Sequence, residues 1–449
     1  MAELDASGRA DLERWLKPFL ARLSHPARRA MCPLYVAGLI GPGDRKSVQP
    51  MAWRLGLGSH DGLHHFISAG VWDEAPLEAE LLAQADRLVG GSDAYLVIDD
   101  TALPKKGTSS VGVAPQYASV LGKNANCQTL VSLTLAKGEV PVPVGLRLFL
   151  PEAWASDPGR MARAGVPAEH RATCTKPEIA IAELDRVVAG GVRFGCVLAD
   201  AGYGISAAFR GALSARGLAW AVGIPRIQKV FPADVAMIWP VAARGRPRET
   251  AIPGTASVAA EDMLDGAPWR AITWRRGTKG ALKAEFAALR VRVADGPAVR
   301  IGGRVSQHLP GEEVWLVGER RSSGERKFYL ANLPAGVGLT TLAAAIKARW
   351  VCEQAHQQLK EELGLDHFEG RSWRGLHRHA LLTLIAFAFL QDRRLAAVER
   401  GGKGGRRPAA PAKLAGRSTG HRRYPGADPC ASRAVPPLPT MDVVAAARA

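Results

Sequence analysis

The sequence predicts an α/β protein in which a helical N-terminal part precedes a strand-rich core. Three observations carry this: apolar residues recur at helical spacing through residues 1–90, strand-like apolar runs begin at Tyr95, and helical spacing returns from about Thr340. With 449 residues, 47% of them hydrophobic, the chain can form a large core and roughly two to three domains of about 150 residues each.

The helical part, residues 1–90, shows its periodicity in LERWLKPFLARL and PLEAELLAQADRLV. Between them, DRKSVQPMAWRLGLGSHDGLHHFISAGVW reads as two short helices around a Gly-rich turn, with Asp61 placed to cap the second. This is the outline of a helix-turn-helix DNA-binding domain, and equally of a small helical packing module. His64 and His65 read as packing or surface residues rather than ligands.

From Tyr95 the elements run strand YLVID, strand QTLVSLTLA (128–136) and strand VPVPVGLRLFL (140–150), with a tight turn at Lys137-Gly138. A helix over 176–188, a strand over 194–200, a helix over 205–217 and the strand WAVGI (220–224) follow. Three strands, helix, strand, helix, strand is the element order of a ribonuclease H-like domain, which would span 91–224. There the first and fourth strands adjoin, so carboxylates at their C-terminal ends converge. Residues 225–335 interrupt the scheme with the alternating runs RAITWRR, ALRVRVA, EEVWLVGER and KFYLANL, a β-rich antiparallel insertion before the last catalytic helix. Residues 336–398 then complete the core with helices, and 399–449, rich in Gly, Pro, Ala and Arg, predicts a basic disordered tail.

Charge narrows the partners. Lys and Arg outnumber Asp and Glu by 59 to 42, a formal +17, which favours a polyanion such as double-stranded DNA. The last 49 residues hold nine Lys/Arg and two Asp, so +10 remains on the body. The six cysteines form no C-x-x-C pair and have no histidine at ligand spacing, which indicates neither a zinc site nor a disulfide framework. The N-terminus lacks an apolar signal core, and the longest apolar run, Ala380 to Leu390, falls short of the roughly 20 residues a membrane span needs. A cytoplasmic location without a membrane partner is expected.

Three acids stand where this topology would gather them: Asp100 ending YLVIDDT, Asp200 ending GCVLADAGYG, and Glu353 in the late helix. Each alone has a bland reading as a cap, turn or solvated residue. Together they would repel one another unless cations compensate, which implies metal. Hard oxygen donors point to Mg²⁺, with Mn²⁺ as a substitute. Two such ions about 3.5–4 Å apart suit phosphodiester chemistry, activating a water or 3′-hydroxyl and stabilising the leaving oxyanion.

The segment ARWVCEQAHQQLKEELGLDHFEGRSW sets Arg349 four residues before Glu353 and Lys360 seven after it, spacings that share a helical face. This R-x3-E-x6-K pattern, together with IDDTALPKKGTSSVGVAPQY and LGKNANCQ, resembles the DDE-type transposases of bacterial insertion sequences, in the superfamily-endonuclease subgroup. The likeness is dense from about Arg45 to Arg394. It implies Asp100, Asp200 and Glu353 as catalytic metal ligands and Arg349 and Lys360 as DNA contacts. The family pattern Y-x2-R-x3-E-x6-K has tyrosine where this chain has Ile346, which removes one expected DNA contact. Family usage of Asp before Thr favours Asp100, preceding Thr101, over Asp99. Lys105 and Lys106 are expected either at the rim of the site as phosphate contacts or as a solvated loop pair. In related enzymes the insertion helps hold the transposon end, and Trp239, Trp269, Trp274 and Trp315 are candidates for stacking on a base as well as for core.

The resemblance implies cleavage at terminal inverted repeats, joining of 3′-hydroxyls to target DNA, and at least a homodimer in the synaptic complex of a nucleoid-associated bacterial enzyme. A ribonuclease H-like resolvase or repair nuclease, and a catalytically decayed DNA-binding protein, are the rival readings. If the basic surface is the docking face, DNA affinity falls steeply with added salt as phosphate contacts release counterions; a salt titration in a gel-shift assay checks this, and a flat response removes that face from consideration.

Overall fold

The computed structural model describes residues 6–118, 121–239, 251–277, 280–301 and 305–401. The basic tail beyond Gly401 lies outside the described residues.

Helices α1 (Ala6–Ala21), α2 (Pro26–Ile40), α3 (Val48–Arg54), α4 (Asp61–His64) and α5 (Ala75–Val89) open the chain, and a π turn, His65–Ala69, continues α4. Asp61 is the first residue of α4 rather than its cap. The N-cap is His60, with no side-chain cap bond, and the Ser59 hydroxyl donates to Asp61 at 2.6 Å. His64 and His65 are exposed.

The strands β1 (Tyr95–Pro104), β2 (Ala114–Ala118), β3 (Lys123–Lys137) and β4 (Val140–Leu148) follow. Between β3 and β4 the predicted turn is present, Gly138 taking φ +59°, where only glycine avoids a Cβ clash. Short helices α6 (Glu152–Ala155) and α7 (Pro158–Arg163) lead to α8 (Lys176–Ala189), β5 (Cys196–Ala199), α9 (Ala201–Gly204), α10 (Ala207–Ala215) and β6 (Trp220–Ile224). The third segment runs β7 (Lys229–Pro232), β8 (Met237–Ile238), β9 (Ile252–Pro253), β10 (Val258–Ala259), α11 (Ala260–Met263) and β11 (Arg270–Gly277). It continues through β12 (Gly280–Val293), β13 (Ala298–Ile301), β14 (Val305–His308), β15 (Glu313–Arg320) and β16 (Arg326–Ala331). Helices α12 (Leu339–Ala348), α13 (Trp350–Glu361) and α14 (Trp373–Gly401) close the described chain.

One 12-stranded sheet organises the whole. Its centre runs β6-β5-β1-β3, with β4 also on β3; β1, β5 and β6 are parallel, and β3 is antiparallel to β1. The predicted insertion is antiparallel, yet it does not form its own layer. Its strand β16 pairs with β6 from Phe328↔Ile224 to Ala331↔Ala221, and β15, β12 and β7 extend the same sheet outward. The reason lies in β6: buried along its length, it presents a free backbone edge that must find partners.

Helix α14 ties the N-terminal helices to this sheet. Arg378, 0% exposed, donates to Glu74 at 2.5 Å and to the carbonyls of Gly70 and Trp72 at 2.6 Å. Next to it, His379 meets the Tyr35 hydroxyl at 2.8 Å, and His377 accepts the Leu148 amide at 3.3 Å. Among the described residues, no helix is long and apolar enough to cross a membrane.

Burial pushes the imidazoles of His356 and His379 down to about 4 and that of His377 down to about 3. A histidine more acidic when folded than its unfolded value of about 6.5 leaves the native state fully stable only above that value. Stability is lost as pH falls through 6.5 toward the folded value. Urea midpoints should therefore drop steadily between pH 6.5 and about 4, and His379→Gln should flatten that slope; an unchanged slope would remove this histidine from the acid response.

Candidate active site

The end of the β1–β5 ladder positions the acids; β5 stops just before Asp200, whereas β1 runs on past Asp99 and Asp100 to Pro104, so the expected strand end at Asp100 is absent. Ile98 pairs with Ala199 across the parallel β1–β5 ladder, so the next residues, Asp99 and Asp200, leave it side by side. Asp200 becomes the N-cap of α9, accepting from the amides of Gly202 at 2.9 Å and Tyr203 at 3.3 Å. Close approach of α9 to β6 requires Gly204, since a Cβ there would overlap the carbonyl oxygen of Gly223.

Successive strand side chains alternate faces, and this separates the two neighbouring acids of β1. Asp99 turns toward α13. Its Oδ2 accepts from the Arg349 guanidinium and from the Cys352 thiol at 3.1 Å, and its Oδ1 accepts the Asp100 amide at 2.8 Å. Asp100 turns toward α8 and α9, where Lys176 reaches Oδ2 at 2.5 Å and the Tyr203 hydroxyl donates to Oδ1. A capping box fixes Lys176 in place: the Thr175 hydroxyl accepts from the Glu178 amide, and the Glu178 carboxylate accepts from that of Thr175. Both oxygens of each carboxylate are engaged, and the Asp99 side chain is 13% exposed against 28% for Asp100.

Arg349 sits at the junction of α12 and α13 and also pairs with Glu353, four residues on, at 2.7 Å. The predicted meeting of arginine and glutamate on one face is therefore present. Lys360 stands half-buried at the far end of α13, where Asp366 and Glu361 oppose the lowering of its pKa by burial. Ile346, in the position of the family tyrosine, is buried in the apolar cluster under α12.

Electrostatics bind the group together. Burial, then the charge of Asp99, pushes the Asp200 carboxyl up, with Asp100 adding to it and Arg349 opposing. Burial alone would depress Arg349, but Asp99, Glu353 and Asp200 hold it above its usual value. Burial and Asp100 likewise push the Tyr203 hydroxyl up. The result is a set of hard oxygen donors short of positive charge, which is what a divalent cation satisfies. Among the described residues, no three acidic, histidine or cysteine side chains already stand together as a metal-holding group. Glu353 is engaged by Arg349, and Asp100 by Lys176 and Tyr203.

Two expectations about the rim change. Lys105 is turned inward, its Nζ donating to the carbonyls of Asp366 at 3.0 Å and Phe368 at 2.7 Å, so it braces the loop after α13. Lys106 is the exposed member of the pair. Of the four tryptophans, Trp269, Trp274 and Trp315 pack against core clusters, while Trp239 is 63% exposed. Missed in the sequence were Lys176, Tyr203 and Cys352. Lys176 and Tyr203 lie 76 and 103 residues from Asp100, a distance no local spacing can signal.

The model of a family described as DDE superfamily endonuclease matches residues 18–281, a span that includes Asp99, Asp100 and Asp200 and ends before Arg349. Among curated proteins, the chain is 30% identical over 169 residues to the probable transposase for insertion sequence element IS701 of Microchaete diplosiphon. That match spans 38% of this chain and 41% of the relative, less than half of its length. Among solved structures, the chain is similar to a piggyBac transposase synaptic complex with hairpin DNA, at a TM-score of 0.40 and 10% identity, over 89% of this chain and 74% of that one. A Drosophila P element transposase strand transfer complex gives a TM-score of 0.21 at 13% identity, over 46% and 40%.

A carboxyl with a folded pKa above its unfolded value stabilises the native state only while protonated, below an unfolded value of about 3.9. The contribution is lost as pH rises through the folded value. At neutral pH, ionised Asp200 is therefore a net cost to the metal-free protein. Asn caps a helix as well as Asp, so Asp200→Asn should raise the melting midpoint without metal and abolish any rise on adding Mg²⁺. A lower midpoint would mean that the ionised carboxylate stabilises the metal-free fold, contrary to this electrostatic balance.

Proposed function

Because the chain belongs to the DDE superfamily endonuclease family, we propose that it is a transposase that cuts phosphodiester bonds at the terminal inverted repeats of its element and joins the freed 3′-hydroxyls to target DNA. One observation carries the reading: acids follow the last pair of the parallel β1–β5 ladder, and Arg349, paired with Glu353 of α13, docks on Asp99 there. The five-strand order β4-β3-β1-β5-β6 supports a ribonuclease H-like core.

Asp100, Asp200 and Glu353 are the residues that would hold Mg²⁺, as two ions, with Mn²⁺ able to substitute. Bound there, the metal would acidify the attacking water or 3′-hydroxyl and stabilise the leaving oxyanion. Family usage of Asp before Thr assigns this role to Asp100; to meet Asp200 and Glu353 its carboxylate must leave Lys176 and Tyr203, because Asp99 is the acid that shares the α13 face with Arg349 and Glu353 in this structure. Asp99 then acts as the anchor of Arg349. Lys176 and Tyr203 fix the direction of the Asp100 carboxylate. Arg349, Lys360 and exposed Lys106 supply phosphate contacts. Helices α3 and α4 suit a helix-turn-helix that grips the terminal repeat, and pairing of two ends makes a homodimer the working form, in the bacterial cytoplasm on the nucleoid.

With Mg²⁺ and a linear duplex carrying the element's ends, Asp100→Ala, Asp200→Ala and Glu353→Ala should each cut cleavage by on the order of 10³ or more, while gel retention of the DNA persists. Cleavage that never yields joined products would make the chain a resolvase or repair nuclease. No metal-dependent nicking by the wild type would make it a DNA-binding protein and overturn the enzymatic reading.

A further inference from the structure

Beside Asp200 and Glu353 opens a cavity of 680 Å³ whose lining carries six Lys or Arg side chains against those two carboxylates. Arg349 belongs to the acid cluster. The other cations come from the outer part of the sheet and the helix above it: Arg226 beyond β6, Arg321 beyond β15, Arg326 and Lys327 on β16, and Lys347 on α12.

The wall is built, not incidental. Glu319, 0% exposed, accepts from Lys347 at 2.7 Å, from the Tyr329 hydroxyl at 2.8 Å and from Arg321 at 3.0 Å. One buried carboxylate thus fixes two cations along the groove and leaves that cluster positive. Arg321 also meets Glu325 at 2.9 Å, while the pairs of the other cations are looser: Arg226 with Glu261 at 3.4 Å, Arg326 with Asp265 at 3.3 Å, and Lys327 with Glu325 at 3.5 Å. Arg226 is 70% and Lys327 41% exposed, and ion pairs so solvated yield readily to a phosphate. Tyr329 and Trp350 add ring surface to the same lining, which suits bases as well as phosphates.

We propose that this groove receives a single DNA strand next to the scissile phosphate, gripping its backbone through Arg226, Arg321, Arg326 and Lys327. A pocket within the range of about 300–1,000 Å³ takes a small ligand or a few nucleotides of one strand. A duplex would ride over its rim. The groove also explains why the outer strands are welded to β6: they carry the phosphate contacts at a fixed distance from Asp200. The proposal rests on the nuclease reading for the strand's position, but its test does not depend on cleavage.

The test is binding of the full chain in EDTA, by fluorescence anisotropy, to a blunt duplex and to the same duplex with a short oligothymidine extension. The wild type should prefer the extended probe by on the order of tenfold. Arg226→Glu with Lys327→Glu should bring the ratio close to one. The milder pair Arg226→Gln with Lys327→Gln should lose part of it, with a melting midpoint that reports intact folding. Equal affinity of the wild type for both probes, or a preference that survives charge reversal in a folded protein, would overturn the proposal. Because metal is absent, the groove can fail in this assay while metal-dependent cleavage stands, and the reverse also holds.

Discussion

The guanidinium of Arg349 between Asp99 and Glu353 is the contact on which the site depends. It joins a strand of the central sheet to a helix 250 residues later in the chain. It does so at the break between α12 and α13, where helix direction would otherwise be poorly fixed. A cation held among partly buried carboxylates is costly to leave unpaired, so removing either acid would strand the arginine. The same guanidinium lies close enough to Asp200 to oppose the rise of its pKa. Cys352 and the Ser132–His356 pair, the latter at 2.8 Å, add bonds of α13 to the same face of the sheet.

A division of labour follows for the two acids of β1. Alternation along a strand sends Asp99 to one face and Asp100 to the other, so one chain segment serves both the docking of a helix and a second set of partners. Lys176 and Tyr203 complete that second set from elements on the opposite face. Positive side chains therefore flank the acids from both sides of the sheet.

Much of this was legible in the sequence, because it is written at short range. Apolar runs leading into aspartate marked β1 and β5, though β1 runs past its acids to Pro104; the Lys137-Gly138 turn marked the β3–β4 hairpin, and the arginine-to-glutamate spacing of four marked the first turn of α13. What escaped was set at long range. Nothing local says which face of β1 meets α13, so spacing and family usage could single out Asp100 while leaving Asp99 without a role. Nor does composition tell a solvated lysine from one turned inward to two carbonyls, as Lys105 is. The alternating runs of 225–335 revealed strands but not that β16 would close onto β6, since pairing partners are chosen by exposed backbone rather than by pattern. Asp61 failed as a cap because His60 and Ser59 reorganise the turn before α4.

The unbroken hydrogen-bonded ladder from β3 through β1, β5 and β6 to β12 has a mechanical consequence. No hinge divides the strands bearing the aspartates from the strands bearing the outer arginines, so the two cannot swing apart like jaws. Any adjustment to a bent or distorted substrate must be a twist shared across the plate or a shift of the helices lying on it. The sheet is thus a single rigid plate beneath the acids.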